Sequence, residues 1–132
     1  MAMTDYTIST TVALPFAQTV EAVRDALAGQ GFGVLTEIDL QATLKRKLDV
    51  DIVPQVILGA CRPQLAYQAL SIEPSIAAVL PCNVVVRAAG EASTVVEAFN
   101  PDAMLGLAGD SEALRLVAAD AKERLGAAIA SL

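Results

Sequence analysis

Cys82-Asn83-Val84-Val85-Val86-Arg87 and Ser93-Thr94-Val95-Val96-Glu97-Ala98-Phe99 are two β-prone runs separated by Ala88-Ala89-Gly90-Glu91-Ala92. Two such runs joined by a short glycine-containing link read as a β-hairpin, here with a five-residue loop. A hairpin is an antiparallel unit, so the sheet it belongs to is not a purely parallel one.

Upstream of the hairpin, strands alternate with helices. Thr7 to Leu14 is rich in Thr, Ile and Val and predicts a strand that Pro15 breaks. Phe16, Val20, Val23 and Leu27 then recur at helical spacing, with Gly29 and Gly31 as terminators. Phe32 to Ile38 predicts a second strand, related to the first by a βαβ crossover or by a split version of it. Leu40, Leu44 and Leu48 predict a short helix, and Val56 to Ala60 a buried strand. Pro63 suits the first position of a following helix, because its missing N–H costs nothing there. Pro74 ends or offsets that helix, and Ile76 to Leu80 forms a further turn.

Downstream of the hairpin, Asn100-Pro101 opens a short helical turn through Leu105. The last helix is capped by Asp110 or Ser111 and carries the stripe Leu114, Val117, Ala121, Leu125, Ala128 and Leu132. The order is β-α-β-α-β-α-β-β-α, an α+β chain without repeat or interior linker, and residues 1–132 form one domain.

Composition supports a packed core, with 55% hydrophobic and 18% charged residues. So apolar a small chain has more hydrophobic surface than one copy readily covers, which favours self-association as a homodimer. A net charge of −6 argues against nucleic acid and anionic membranes as partners, since both demand clustered Lys and Arg. Lys45-Arg46-Lys47 is too short a run to reverse that and reads as a solvated helix face. No signal-like segment opens the chain, and the apolar stretch Ile76 to Val86 is too short and too interrupted to span a bilayer. A cytoplasmic setting is expected, in which the two cysteines are reduced thiols.

The chain has no His. Ser-His-Asp and Cys-His catalysis, His-ligated metals and imidazole acid–base work are therefore excluded. Gly29-x-Gly31-x-Gly33 follows a helix rather than a strand, so it reads as a turn and not as a phosphate loop. Glu37 with Asp39, and Asp49 with Asp51, stand at the ends of elements, where solvated carboxylates are ordinary. No residue is assigned a catalytic role and no cofactor is specified.

Cys61 and Cys82 are left as the chemistry-bearing pair. Cys61 follows an apolar strand and precedes Arg62-Pro63, beside the N-terminus of a helix, where unpaired N–H groups and a guanidinium favour a thiolate. Cys82 opens another strand. If the two strand ends converge, they can form a reversible disulfide or hold a soft metal, with Met104 as a thioether third ligand. The alternative is that both are small buried hydrophobes.

Several ordered blocks carry a family resemblance. They are Gly31-Phe32-Gly33-Val34-Leu35-Thr36-Glu37-Ile38-Asp39, Thr43-Leu44-Lys45, Ile57-Leu58-Gly59-Ala60-Cys61-Arg62-Pro63, Leu80-Pro81-Cys82-Asn83-Val84-Val85-Val86 and Pro101-Asp102-Ala103-Met104-Leu105. From about Tyr6 to Leu132 the chain resembles the bacterial and archaeal domain of unknown function 302, with Arg62 departing from a small polar residue. The resemblance implies a single-layer, curved, mainly antiparallel sheet packed by helices, similar to the TATA-binding-protein-like class, and a homodimer. It supplies no activity. It places Cys61, Cys82, Lys45 and Met104 inside the recognisable blocks.

The resulting expectation is a homodimeric module binding a small ligand or soft metal. Cys61, Cys82, Lys45 and Asn83 face the ligand, and Cys61, Cys82 and Met104 hold the metal. A thiol-dependent redox enzyme or sensor using Cys61 and Cys82 is the alternative, and a purely structural interaction module the third.

Overall fold

The computed structural model describes residues 1–108 and 111–132. Its strands are β1 (Ala2–Met3), β2 (Thr7–Val12), β3 (Gly33–Asp39), β4 (Gln55–Cys61), β5 (Cys82–Gly90) and β6 (Ser93–Phe99). Its α-helices are α1 (Phe16–Gly29), α2 (Leu40–Leu48), α3 (Pro63–Ile72), α4 (Leu105–Ala108) and α5 (Glu112–Ala130), with 3-10 turns at Pro74–Val79 and Pro101–Met104. The sheet runs β1-β2-β6-β5-β4-β3, and every neighbouring pair is antiparallel. The expected α+β class and element order are both present.

The order of strands resolves the crossover. β2 and β3 run in the same direction but lie three strands apart, so β2-α1-β3 is a split unit whose gap is filled by β6, β5 and β4. The hairpin is tighter than the sequence predicts: only Glu91 and Ala92 lie between β5 and β6. Ala88 and Gly90 pair with Thr94 and Ser93 across a register shift, because the flanking ladder templates even these weak β-formers.

Local chemistry explains where the helices begin and end. At the end of α1 the Gly31 N–H donates to Ala28 O and the Phe32 N–H to Leu27 O, both at 3.0 Å. Gly31 takes φ +83, the left-handed turn that this C-terminal motif requires. Asp39 Oδ1 accepts from the Ala42 N–H at 2.9 Å to start α2. Asn100 accepts from the Asp102 N–H at 3.1 Å and opens the second 3-10 turn. Ser111 accepts from the Leu114 N–H at 3.3 Å and caps α5; Asp110, the other expected cap, lies outside the described residues.

Two apolar clusters result. In the first, Val56, Leu58, Ala60, Cys82, Val84, Val86, Val96 and Ala98 meet Val23 and Leu27 of α1 and Leu125, Ala128 and Ile129 of α5. The second lies beyond the sheet, where Leu65 and Ala69 of α3 and Ile76 pack on Met104 and on Leu114, Val117, Ala118 and Ala121 of α5. α5 thus serves both clusters, with its N-terminal half in one and its C-terminal half in the other. The other face of the sheet carries half-exposed Ile57, Val85, Arg87, Val95 and Glu97, which alternate with the core residues. Among the described residues, no helix is long and apolar enough to cross a membrane.

Candidate functional site

β4 and β5 are paired so that Ala60 stands opposite Cys82 and Gly59 opposite Asn83. Cys61 is the next residue of β4, beyond the last β4–β5 pair and opposite Gly33 of β3. Arg62 follows as the N-cap of α3, accepting the Leu65 and Ala66 N–H groups on its carbonyl at 3.0 Å. On the other strand, the cis Leu80-Pro81 bond precedes Cys82 directly. A Cβ at Gly59 would collide with Thr36 Oγ1 and come within 2.8 Å of Pro81 Cγ. Only glycine allows β3 and the Pro81 ring to close over β4 there.

Between the two clusters lies a cavity of about 30 Å³. Ala60, Phe32 and Cys82 reach it from the sheet side, and Leu65, Met104, Val117 and Ala121 from the helical side. Cys61 and Arg62 close the end where β4 hands over to α3. The two cysteines and Met104 therefore share one small chamber. One water needs ~10–15 Å³ of such space, so the chamber accepts an ion or a ligand of a few atoms and excludes a nucleotide or an organic cofactor.

The wall is apolar apart from the sulfurs and Arg62. Burial, and then the charge of neighbouring Cys61, push the Cys82 thiol up to about 11. Cys82 is thus protonated at neutral pH unless something displaces its proton. Cys61 is half-buried and is the more accessible thiol. The Arg62 Nε is buried and has no hydrogen-bond acceptor.

The other two expected ligand-binding residues lie elsewhere. Lys45, in the last turn of α2, pairs with Asp49 at 2.9 Å and Asp51 at 3.2 Å. Those two carboxylates, in that order, raise its pKa, and the side chain is exposed. Asn83 neighbours Cys82 in sequence, so strand alternation turns it to the opposite face, where it is exposed near Tyr6, Val85 and Glu97. Of the other carboxylate pair noted in the sequence, Glu37 meets Arg24 at 3.1 Å and Asp39 caps α2. Among the described residues, no three Cys, Asp or Glu side chains gather to hold a metal ion.

Sequence reading treated Val117 and Ala121 only as core positions, although they also wall the chamber. Periodicity identifies a buried face without telling which part of it borders a void. The fold and the chamber together define a small α+β domain with a sulfur-lined pocket at the rim of an antiparallel sheet. The chain matches the family described as "Domain of unknown function DUF302" over residues 8–132, and it belongs to that family. It is similar to the crystal structure of an "uncharacterized conserved protein DUF302" from Bacillus stearothermophilus, with 30% identity and a TM-score of 0.86. That similarity covers 96% of this chain and 98% of the other. No curated protein matches the sequence.

Proposed function

We propose that the chamber is a soft-metal site in a homodimeric binding domain, with Cys61 and Cys82 as thiolate ligands and Met104 as a thioether ligand. The observation that carries this reading is that Cys61, Cys82 and Met104 all line one cavity of about 30 Å³. Soft sulfur donors select ions such as Cu(I), and the binding free energy offsets the cost of deprotonating buried Cys82. Among the described residues no carboxylate lines the chamber, and the chain has no His, so the donor set is poor for Mg²⁺ or Ca²⁺, which require oxygen ligands. Self-association is supported by Ile38, Ile57 and Val85, which lie in register across three strands on the face away from α1 and α5.

A second reading is supported by Cys61 and Cys82 both lining the same chamber. Cys61 thiolate attacks a small-molecule disulfide and expels one of its halves as a thiolate. The Cys82 thiol loses its proton and displaces the other half, leaving a Cys61–Cys82 disulfide and a fully reduced small molecule. The high pKa of Cys82 makes its attack slow, so metal binding is the stronger reading.

One experiment separates the two. Native mass spectrometry of reduced, anaerobic protein titrated with Cu(I) is expected to show one ion per chain. Cys61→Ser and Cys82→Ser abolish that binding, and Met104→Leu weakens it about tenfold. Metal-free protein at every ratio, with thiols closed to alkylation, refutes the site. Metal-free protein that loses two hydrogens on exposure to a mild disulfide oxidant transfers the assignment to redox chemistry.

A further inference from the structure

We infer that the sheet face away from α1 and α5 is a two-fold interface in which Arg87 of each copy pairs with Glu97 of the other. This rests on the self-association in the reading above and is independent of the metal site. Ile57, Val85 and Val95 belong to neither apolar cluster, so nothing in either core covers them. Among the described strand residues on this face, Arg87 and Glu97 alone are charged. Their contact within one chain is 3.7 Å, longer than a hydrogen bond, and their side chains remain 39% and 30% exposed. Such a pair contributes little in the free chain.

The register supplies the geometry. On β5 and β6, Val85 stands opposite Glu97 and Arg87 opposite Val95, so valines occupy one diagonal of this patch and charges the other. A two-fold axis lying between two facing sheets, along the valine diagonal, sets Val85 over the partner's Val85 and Val95 over the partner's Val95. The same axis sets each Arg87 over the partner's Glu97, which is the self-complementarity an isologous interface demands. Ile57 stands beside Val85 and Ile38 beside Ile57, extending the apolar strip toward the sheet edge. Charge also favours this face: copies carrying −6 each repel one another, whereas the face carries one charge of each sign. Removal from water strengthens the two pairs, and any other register opposes like charges or buries single ones.

The test is a charge exchange read by sedimentation and native mass spectrometry, with circular dichroism and thermal melting to establish folding. Wild type is expected to be a dimer. Arg87→Glu and Glu97→Arg are each expected to weaken dimerisation roughly tenfold or more, an order-of-magnitude expectation for two like-charge contacts. An equimolar mixture of the two variants is expected to form a heterodimer of near wild-type affinity, because both pairs between copies return with their signs reversed. The pair within each variant chain stays like-charged, so recovery in the mixture reports contacts between copies. If a reversal unfolds the chain, Arg87→Lys takes its place. Carbodiimide coupling of mixed isotope-labelled and unlabelled chains is then expected to join the new amine to Glu97 of the other chain. A dimeric wild type whose variants associate undiminished, or whose mixture shows no recovery, overturns the Arg87–Glu97 interface while self-association stands. Coupling within single chains only does the same. A monomeric wild type overturns both.

Discussion

The Cys82 thiol illustrates how a single side chain links burial to pH. Its ordinary value of 9.0 is raised to about 11 in the folded chain, first by burial and then by Cys61. The neutral thiol is what the core tolerates, so the folded state holds its proton more tightly than the unfolded state does. The stability tied to that proton is fully present below pH 9.0 and is lost as the pH climbs through about 11. Urea unfolding of the reduced, metal-free protein is therefore expected to weaken across this window by roughly 3 kcal/mol more in wild type than in Cys82→Ala. Parallel pH profiles for the two proteins would contradict the assignment. At this scale the sequence was informative about Asn100 and Ser111, whose capping roles depend only on neighbours along the chain. It was silent on the Arg62 Nε, whose missing acceptor depends on how β3, β4 and α3 come together.

Among the elements, α2 shows the least dependence on tertiary packing. None of its residues is buried, its start rests on the Asp39 cap, and its last turn gathers Lys45, Arg46 and Lys47 where the helix dipole favours cations. Asp39→Ala is expected to cost about 1 kcal/mol, largely as local fraying. Faster amide hydrogen exchange confined to residues 40–48, with little change in the melting temperature, is the result to look for. A global loss of stability would instead show that α2 is coupled to the core. α2 matched its expected span because an amphipathic run with a cap is a local signal. The hairpin loop did not, because Ala88 and Gly90 join the ladder through neighbours that propensity does not describe.

For the whole molecule, the chamber sits where two clusters meet, and α5 ties the clusters together. Truncating Leu114 or Leu125, each fully buried in a different cluster, is expected to cost about 2–5 kcal/mol. Both variants are expected to retain one cooperative melting transition, and two separated transitions would mean that the clusters unfold independently. The proposed dimer is checked at this scale as well. Light scattering on eluting protein is expected to give twice the chain mass, and Val85→Arg on the face away from α1 and α5 to reduce it to one. A monomeric wild type would remove self-association from the proposed function.

Much that is local could be decided from the sequence alone. Element order, the Pro63 helix start, the Gly31 stop, the stripe of α5 and the family blocks are written in short-range periodicity and turn chemistry. So was the absence of imidazole chemistry, since a missing residue type is missing in any fold. Tertiary structure alone decided that β2 and β3 stand three strands apart, and that Cys61, Cys82 and Met104 line one cavity while Lys45 and Asn83 lie elsewhere. Those outcomes depend on which strand faces find partners and on how helices cover them. Such pairings join residues distant along the chain, and no local pattern specifies them.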